Sequence, residues 1–194
     1  MILRWTSWIV QLLLQEKIIS EDDQELYMYC FQTALFQMII YGSIALLAVC
    51  LDDITISIAY YCGFLPIRYA AGGYHANSHK TCLALSIIIY LFAMGINTYL
   101  PASISKLFII VGSICTICMI FWAAPVDHKN RPFSPREKER YRKKSYQVTI
   151  LVTVIAVLMV NISVDLSTAV ILGTFSAACS VWIGQKQRRR ELLC

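Results

Sequence analysis

One short segment of the chain, residues 70–82 with the sequence AAGGYHANSHKTC, brings together a cysteine, two histidines, a lysine and a pair of glycines. A thiolate is a strong nucleophile, and an imidazole can accept the proton that a thiol loses. Cys82 and His75 therefore have the residue types of a Cys–His pair for nucleophilic attack on a carbonyl. The same residues are equally compatible with a polar loop that has only a structural role.

The helix that carries Cys82 must begin after His75 if the two side chains are to meet. On one continuous helix the seven-residue separation would place them about 10 Å apart along the axis. Asn77 and Ser78 are favoured N-cap residues, so we expect the helix to begin there and His75 to lie in the preceding loop.

The residues around that helix start set the environment of the thiol. Gly72-Gly73 gives the loop the backbone freedom to turn back over the helix end. Cys82 would then lie in about the first turn with Lys80 nearby, and both the helix dipole and the lysine favour the thiolate form. His79 lies three residues before Cys82 and would face the same side of the helix, so it is an alternative base.

A zinc site is the competing chemistry for the same segment. His75, His79 and Cys82 follow the pattern H-x3-H-x2-C and could supply three ligands on a helix. A catalytic zinc site of that kind generally also needs a carboxylate base, as in H-E-x-x-H. No Asp or Glu occurs from Arg68 to Lys80. We therefore expect no metal at this site and no other cofactor.

The elements that must position these residues are membrane helices. The chain has 194 residues, 58% of them hydrophobic and 15% charged, with a mean hydropathy of +0.60. This composition excludes an ordinary soluble domain. Several uncharged stretches have roughly the 20 residues needed to cross a bilayer, and one shorter stretch with Pro66 could be re-entrant. The long stretches are residues 31–50, 81–105, 107–126, 145–164 and 166–185, and the short one is 54–67.

The basic residues predict how the chain is oriented. Eight of the 17 Lys and Arg residues lie between Asp127 and Lys144, and further ones lie in the tail QKQRRRELLC. Basic residues accumulate in cytoplasmic loops, which predicts that both regions lie inside. With six crossings, Lys106 is the only basic residue outside, which favours six crossings over five. Both termini and the Cys82 segment would then face the cytoplasm.

The N-terminal segment has the pattern of a helix that lies in the membrane interface. Trp5, Trp8 and Leu12 recur at helical spacing, and no small-residue cleavage site follows, so we do not expect a removable signal peptide. The predicted fold is therefore an all-α polytopic membrane protein with about six transmembrane helices, in a single domain over residues 1–194. Its parts are an interfacial helix over 1–20, a transmembrane core over 31–185 and a basic cytoplasmic tail over 186–194.

The basic loop of residues 127–144 has a topogenic role as its simplest explanation. Lys129, Arg131 and Arg136 could in addition bind anionic lipid or the acidic tail of a substrate. Nucleic-acid binding is not expected, because orientation accounts for the positive charge and no reader module is visible. A third residue that orients His75 could also come from this region, from among Asp127, His128 and Asn130.

The segment RYAAGGYHANSHKTC resembles the Arg-x3-Gly-Gly-x-His-x6-Cys signature of the accessory gene regulator B (AgrB) family, and APVDHKNRP resembles the Ala-Pro…Asn-Arg-Pro region of the same family. The resemblance covers nearly the whole chain. It implies a bacterial integral-membrane cysteine endopeptidase that processes quorum-sensing peptide precursors in virulence regulation. Matched position by position, it implies Cys82 as the nucleophile and His75 as the catalytic histidine, with Arg68, Gly72 and Gly73 as supporting residues.

The resemblance also implies a substrate and a reaction. Cys82 would cleave an AgrD-like precursor near its C-terminal part and form a thioester, which a Cys or Ser of the precursor would attack to close a thiolactone or lactone. It further implies a homodimer. The alternative is a non-enzymatic polytopic membrane protein, a small transporter or assembly partner, with a structural His/Cys loop. Apart from Arg68, the predicted spans carry no charge, which weighs against an ion path.

Overall fold

The computed structural model describes residues 2–74, 78–127 and 133–193, and these residues form helices and connecting segments without any strand. The prediction of an all-α membrane protein is confirmed. Seven α-helices are described, and a short 3-10 helix at Glu21–Asp23 precedes the second. The α-helices are α1 Ile2–Gln15, α2 Gln24–Cys50, α3 Ile54–Ala71, α4 His79–Tyr99, α5 Ala102–Ala123, α6 Pro135–Met159 and α7 Val164–Leu193.

Within the described residues, four helices are long and apolar enough to cross a membrane, which is fewer than the six crossings predicted. They are Glu21–Cys50, His79–Tyr99, Ser103–Ala123 and Val164–Glu191. The two predicted spans outside this set are α3 and the apolar part of α6. Helix α3 has 18 residues and contains Pro66 and Arg68. Helix α6 ends at Met159, so the predicted span over 145–164 is interrupted by a turn before α7 begins.

The chain divides into two compact units, residues 1–47 and 48–194, and α2 continues from the first into the second. In the first unit, α1 is shorter than the predicted 1–20 segment and ends at Gln15. Trp5 and Trp8 on this helix are exposed, whereas Thr6 and Val10 are buried. Trp5 and Trp8 thus share an exposed face of α1, while the position of this helix in the membrane interface stays a prediction.

Helix α7 is the element around which the second unit is packed, and it contacts α3 most extensively. The two helices approach closely because each has a glycine at the contact. A Cβ at Gly63 would overlap the carbonyl oxygen of Val170, and a Cβ at Gly173 would overlap that of Tyr60. Close packing at small residues is how apolar helices associate where lipid offers them no hydrophobic gain.

Helix α4, which carries Cys82, is attached to α3 by a polar contact between buried side chains. The hydroxyls of Tyr90 and Ser57 lie 2.6 Å apart, and the Tyr90 ring packs edge-on against Tyr60 with centroids 5.9 Å apart. A buried hydroxyl needs a partner, so this pair fixes which face of α4 is turned toward α3.

The C-terminal ends of α3 and α5 meet at one level against the second half of α7. Buried apolar residues of α3, α5 and α7 form a single cluster there, including Ile67, Ile120 and Val181. Beside this cluster, the backbone N–H of Val126 donates to the carbonyl of Ala71 at 2.9 Å. The segment after α5 and the segment after α3 are therefore neighbours.

Candidate functional site

The helix that carries Cys82 begins where the sequence predicted. Ser78 is its N-cap, and its hydroxyl accepts a hydrogen bond from the backbone N–H of Thr81 at 3.2 Å. The backbone N–H of Cys82 donates to the carbonyl of Ser78 at 3.0 Å, so Cys82 lies one turn into the helix. Its side chain is partly exposed and its thiol is free.

His75 lies outside the described residues, together with Ala76 and Asn77. The pairing of His75 with Cys82 therefore stays a prediction, and so does the rival zinc pattern that includes His75. His79, the alternative base, is the first residue of α4 and is exposed. Three residues separate it from Cys82, which places both on the same side of the helix.

Arg68 holds the loop that leads to His75. From the last turn of α3, its guanidinium donates to the carbonyl of Gly72 at 3.2 Å and to that of Tyr74 at 2.7 Å. It also donates to the hydroxyl of Ser180 on α7 at 3.0 Å. A guanidinium presents its donors in a fixed fork, which a lysine ammonium cannot reproduce. These bonds also give a cation in an apolar helix the partners it needs.

Tyr74, the last described residue before His75, is fastened to α7 through its backbone. Its N–H donates to the carbonyl of Ser180 at 2.8 Å and lies 3.2 Å from the hydroxyl of the same residue. The loop of residues 72–74 is thus held from two sides, by Arg68 on α3 and by Ser180 on α7.

Glycines make this close arrangement sterically possible. Gly72 and Gly73 have φ angles of 76° and 146°, which side chains with a Cβ rarely adopt. A Cβ at Gly73 would overlap the Arg68 guanidinium, and one at Gly184 of α7 would lie 2.7 Å from the backbone N of Tyr74. The loop therefore uses glycine on both sides of its contact with α7.

Sequence reasoning missed Ser180 and Gly184. More than 100 residues separate them from the loop they contact, and no motif marks them. The only signal is their four-residue spacing, which places two small residues on one face of an apolar helix, a pattern typical of close helix packing. A single sequence does not say what such a face contacts.

Asp127, one of the residues considered for orienting His75, is paired with a cation of α7. Its Oδ1 accepts from Nε of Arg188 at 3.0 Å, and the two side chains are only 28% and 17% exposed. Arg188 also lies 3.6 Å from Glu191. This salt bridge holds the segment after α5 against α7, one turn beyond Gly184. A role for Asp127 as a third catalytic residue stays a prediction.

The basic residues expected to hold lipid or substrate are described only in part. Lys129 and Arg131 lie outside the described residues, whereas Arg136 is exposed near the start of α6. That start is a capping box: the Ser134 hydroxyl accepts from the backbone N–H of Glu137, the Glu137 carboxylate accepts from that of Ser134, and Pro135 is the first helical residue. Serine as N-cap and proline at the first helical position are both typical of a helix start.

The fold and this site define an all-helical membrane protein with a partly exposed thiol one turn into a capped helix, and with a Gly-Gly loop, held by an arginine, that precedes this helix in the chain. Its sequence matches the model of the AgrB family, accessory gene regulator B, over residues 5–182. The chain belongs to that family, and the resemblance seen in its signature residues is confirmed. No curated protein matches the chain, and no solved structure does.

Proposed function

We propose that this protein is a membrane cysteine endopeptidase that cleaves an AgrD-like precursor peptide and promotes its cyclisation. The observation that carries the proposal is the position of Cys82, one turn into a helix capped by Ser78 and directly after a loop held by Arg68 and Ser180. A catalytic thiol needs a defined place relative to its base, and this loop leads to His75. Family membership supports the same assignment.

In the proposed reaction the Cys82 thiol passes its proton to His75, and the thiolate attacks a backbone carbonyl of the precursor. The carbon–nitrogen bond then breaks, and the proton held by His75 goes to the nitrogen of the leaving tail. The precursor remains attached to Cys82 as a thioester. His79 replaces His75 as the base if its imidazole is the one nearer the thiol.

Ring closure follows when a Cys or Ser side chain of the precursor attacks that thioester. The base takes the proton of that attacking thiol or hydroxyl as the new thiolactone or lactone bond forms. The bond between the acyl carbon and Cys82 breaks, and the base returns the proton to the Cys82 thiolate. One acyl bond is exchanged for another of similar energy, so the step needs no ATP. Hydrolysis of the thioester would instead release a free carboxylate that cannot close the ring. A site at a membrane surface that excludes water therefore favours cyclisation.

The loop contacts give this reaction its positioning residues. Arg68 and Ser180 fix Tyr74, which is the residue before His75, and Ser78 fixes the start of the helix that carries Cys82. Small errors in the placement of a reacting group cost much of an enzyme's rate. We expect these residues to act through His75 and Cys82 and not to touch the precursor.

The proposal extends to partners and location. The active site faces the cytoplasm of a bacterial cell, because the basic residues that follow α5 and end α7 orient the chain. Lys129, Arg131 and Arg136 attract the acidic tail of the precursor. Two copies of the chain form a homodimer, as the family resemblance implies, and no metal or other cofactor takes part.

Co-expression of the protein with a precursor peptide tests the proposal. We expect Cys82→Ala and His75→Ala to abolish processing with normal membrane insertion, whereas Cys118→Ala, which removes an exposed thiol of α5, leaves it unchanged. A precursor whose ring-forming residue is replaced by Ala should accumulate as an adduct on Cys82, detectable by intact mass. Processing that persists in Cys82→Ala contradicts the mechanism. Processing that is the same with and without the protein favours a non-enzymatic membrane protein.

His79→Ala in the same assay identifies the base. Loss of processing in His75→Ala alone assigns the proton transfer to His75. Loss in His79→Ala alone assigns it to His79, in which case the signature histidine has a structural role in the loop.

A further inference from the structure

An open groove lies on the surface where α5 ends and α6 begins, with a volume of about 410 Å³. Phe121, Trp122 and Pro125 line its apolar side, and Lys138 and Arg142 of α6 line its polar side. Its described walls come from α5, α6, α7 and the segment after α5, and none of residues 72–74 or 78–82 is among them. The groove therefore requires an explanation separate from the thiol site.

The groove lies at the depth where a lipid headgroup meets the hydrocarbon. The apolar span of α5 is Ser103–Ala123, so Phe121 and Trp122 are its last large side chains, and Trp122 is 84% exposed. Tryptophan is enriched at this boundary because its ring is apolar and its N–H is polar. The hydroxyl of Tyr146 donates to the carbonyl of Phe121 at 3.0 Å, which brings the start of the apolar part of α6 to the same level.

Arg142 is held at the rim of the groove by an aromatic pair. Its Nε donates to the hydroxyl of Tyr146 at 2.6 Å, and its guanidinium carbon lies 5.6 Å from the centroid of the same ring. The Tyr146 ring is stacked on Phe121 with centroids 4.0 Å apart. The hydrogen bond from Arg142 to Tyr146 raises the pKa of the guanidinium, which is charged at neutral pH even without this contact.

One carboxylate, Glu139, also lines the groove. It pairs with Lys143 at 2.9 Å, and this lysine lowers the pKa of the carboxyl group. Because Lys143 offsets the charge of Glu139, Lys138 and Arg142 leave the rim with a positive charge. An apolar wall next to two cations is complementary to an amphiphile with an anionic head.

We propose that this groove binds an anionic phospholipid, with its phosphate between Lys138 and Arg142 and the start of its acyl chains against Phe121 and Trp122. Anionic lipid is favoured over an acidic peptide because most of the lining is apolar and lies at the end of an apolar span, where a strongly acidic segment would be desolvated at a cost. A zwitterionic lipid would bring its own cation to a rim that is already positive. The proposal does not depend on the cleavage reaction.

Native mass spectrometry of the full-length protein in detergent tests the proposal, with equimolar phosphatidylglycerol and phosphatidylcholine as probes. We expect the wild-type protein to retain phosphatidylglycerol preferentially, and Lys138→Gln with Arg142→Gln to lower that preference about tenfold. The matched control is Arg140→Gln with Lys144→Gln, which removes the same charge at the same four-residue spacing. Both control residues are exposed on α6 and neither lines the groove.

Three other outcomes would each overturn the proposal that the groove binds an anionic phospholipid. An equal loss in the control pair means that diffuse surface charge holds the lipid, and no loss in either pair means that the groove does not hold it. A synthetic peptide with an Asp/Glu-rich tail is a further probe. If its binding depends on Lys138 and Arg142 and the binding of phosphatidylglycerol does not, the groove is a peptide site. Lys138→Gln alone should give a partial loss, and it decides the question if the double variant does not fold. The lipid-binding measurement does not involve a precursor peptide. Its result therefore stands even if the proposed endopeptidase activity is disproved.

Discussion

The guanidinium of Arg68 donates to the hydroxyl of Ser180 at 3.0 Å and so joins the last turn of α3 to α7. The same guanidinium reaches the carbonyl of Tyr74, and Ser180 reaches the backbone N–H of that residue. The three residues form a closed set of contacts around the loop before His75. Arg68 thus has a structural role in this fold: it holds the loop of residues 72–74 against α7.

Arg68→Lys tests this explanation directly. An ammonium group cannot make the forked contacts to Gly72, Tyr74 and Ser180 together, so we expect processing of a co-expressed precursor to fall by about a hundredfold. Membrane insertion should be normal, because the charge is kept. Processing at the wild-type rate in this variant would mean that charge alone is required at position 68.

Ser180→Ala removes the hydroxyl that Arg68 contacts but leaves the backbone carbonyl that Tyr74 contacts. We expect a smaller effect, a loss of about tenfold in the rate of processing, because one neutral or charge-assisted hydrogen bond contributes about 1–2 kcal/mol. Ser103→Ala, an exposed serine of α5, is the control and should have the wild-type rate. A rate unchanged in Ser180→Ala would remove this residue from the positioning set.

Gly184→Ala places a Cβ 2.7 Å from the backbone N of Tyr74, and neither backbone can yield easily. The loop must shift, and we expect processing to fall about a hundredfold. Gly95→Ala on α4 is the matched control, since nothing lies within 4 Å of the added atom. A helical Gly-to-Ala change there should raise helix stability by about 0.5–1 kcal/mol. Equal rates of processing in both variants would mean that the close contact between Gly184 and Tyr74 is not needed for the reaction.

Gly63→Ala tests the packing of α3 on α7 separately from the site. The added Cβ overlaps the carbonyl oxygen of Val170, and overpacking of this kind costs about 1–3 kcal/mol. We expect the melting temperature of the purified protein in detergent to fall by about 5 °C. A melting temperature equal to that of Gly95→Ala would show that the two helices separate without cost.

Asp127→Asn and Arg188→Ala together test whether Asp127 acts through its salt bridge with Arg188 or by orienting His75. If its role is the pair with Arg188, both variants should lower processing by a similar and modest factor of about tenfold. Arg189→Ala, an exposed neighbour, is the control. A loss in Asp127→Asn about a hundredfold larger than in Arg188→Ala would instead identify Asp127 as a residue that orients the catalytic base.

The features that could be predicted from the sequence are those that depend on neighbouring residues. The helix start at Ser78 and the capping box at Ser134 follow from local hydrogen-bonding chemistry, and both are present. The exact end of α6 could not be predicted. Residues 160–163 form the turn that follows it, and no charged residue or proline marks these four positions. The contact of Ser180 with the loop could not be predicted either, because it joins residues far apart in the chain.

Ser180, Gly184 and Arg188 are spaced four residues apart on α7, so they form one ridge along a single face of the helix. The first two residues contact the loop before His75, and the third holds Asp127 of the segment after α5. A turn of α7 about its own axis would withdraw the whole ridge at once. Such a rotation would therefore change the contacts of α7 with both segments together.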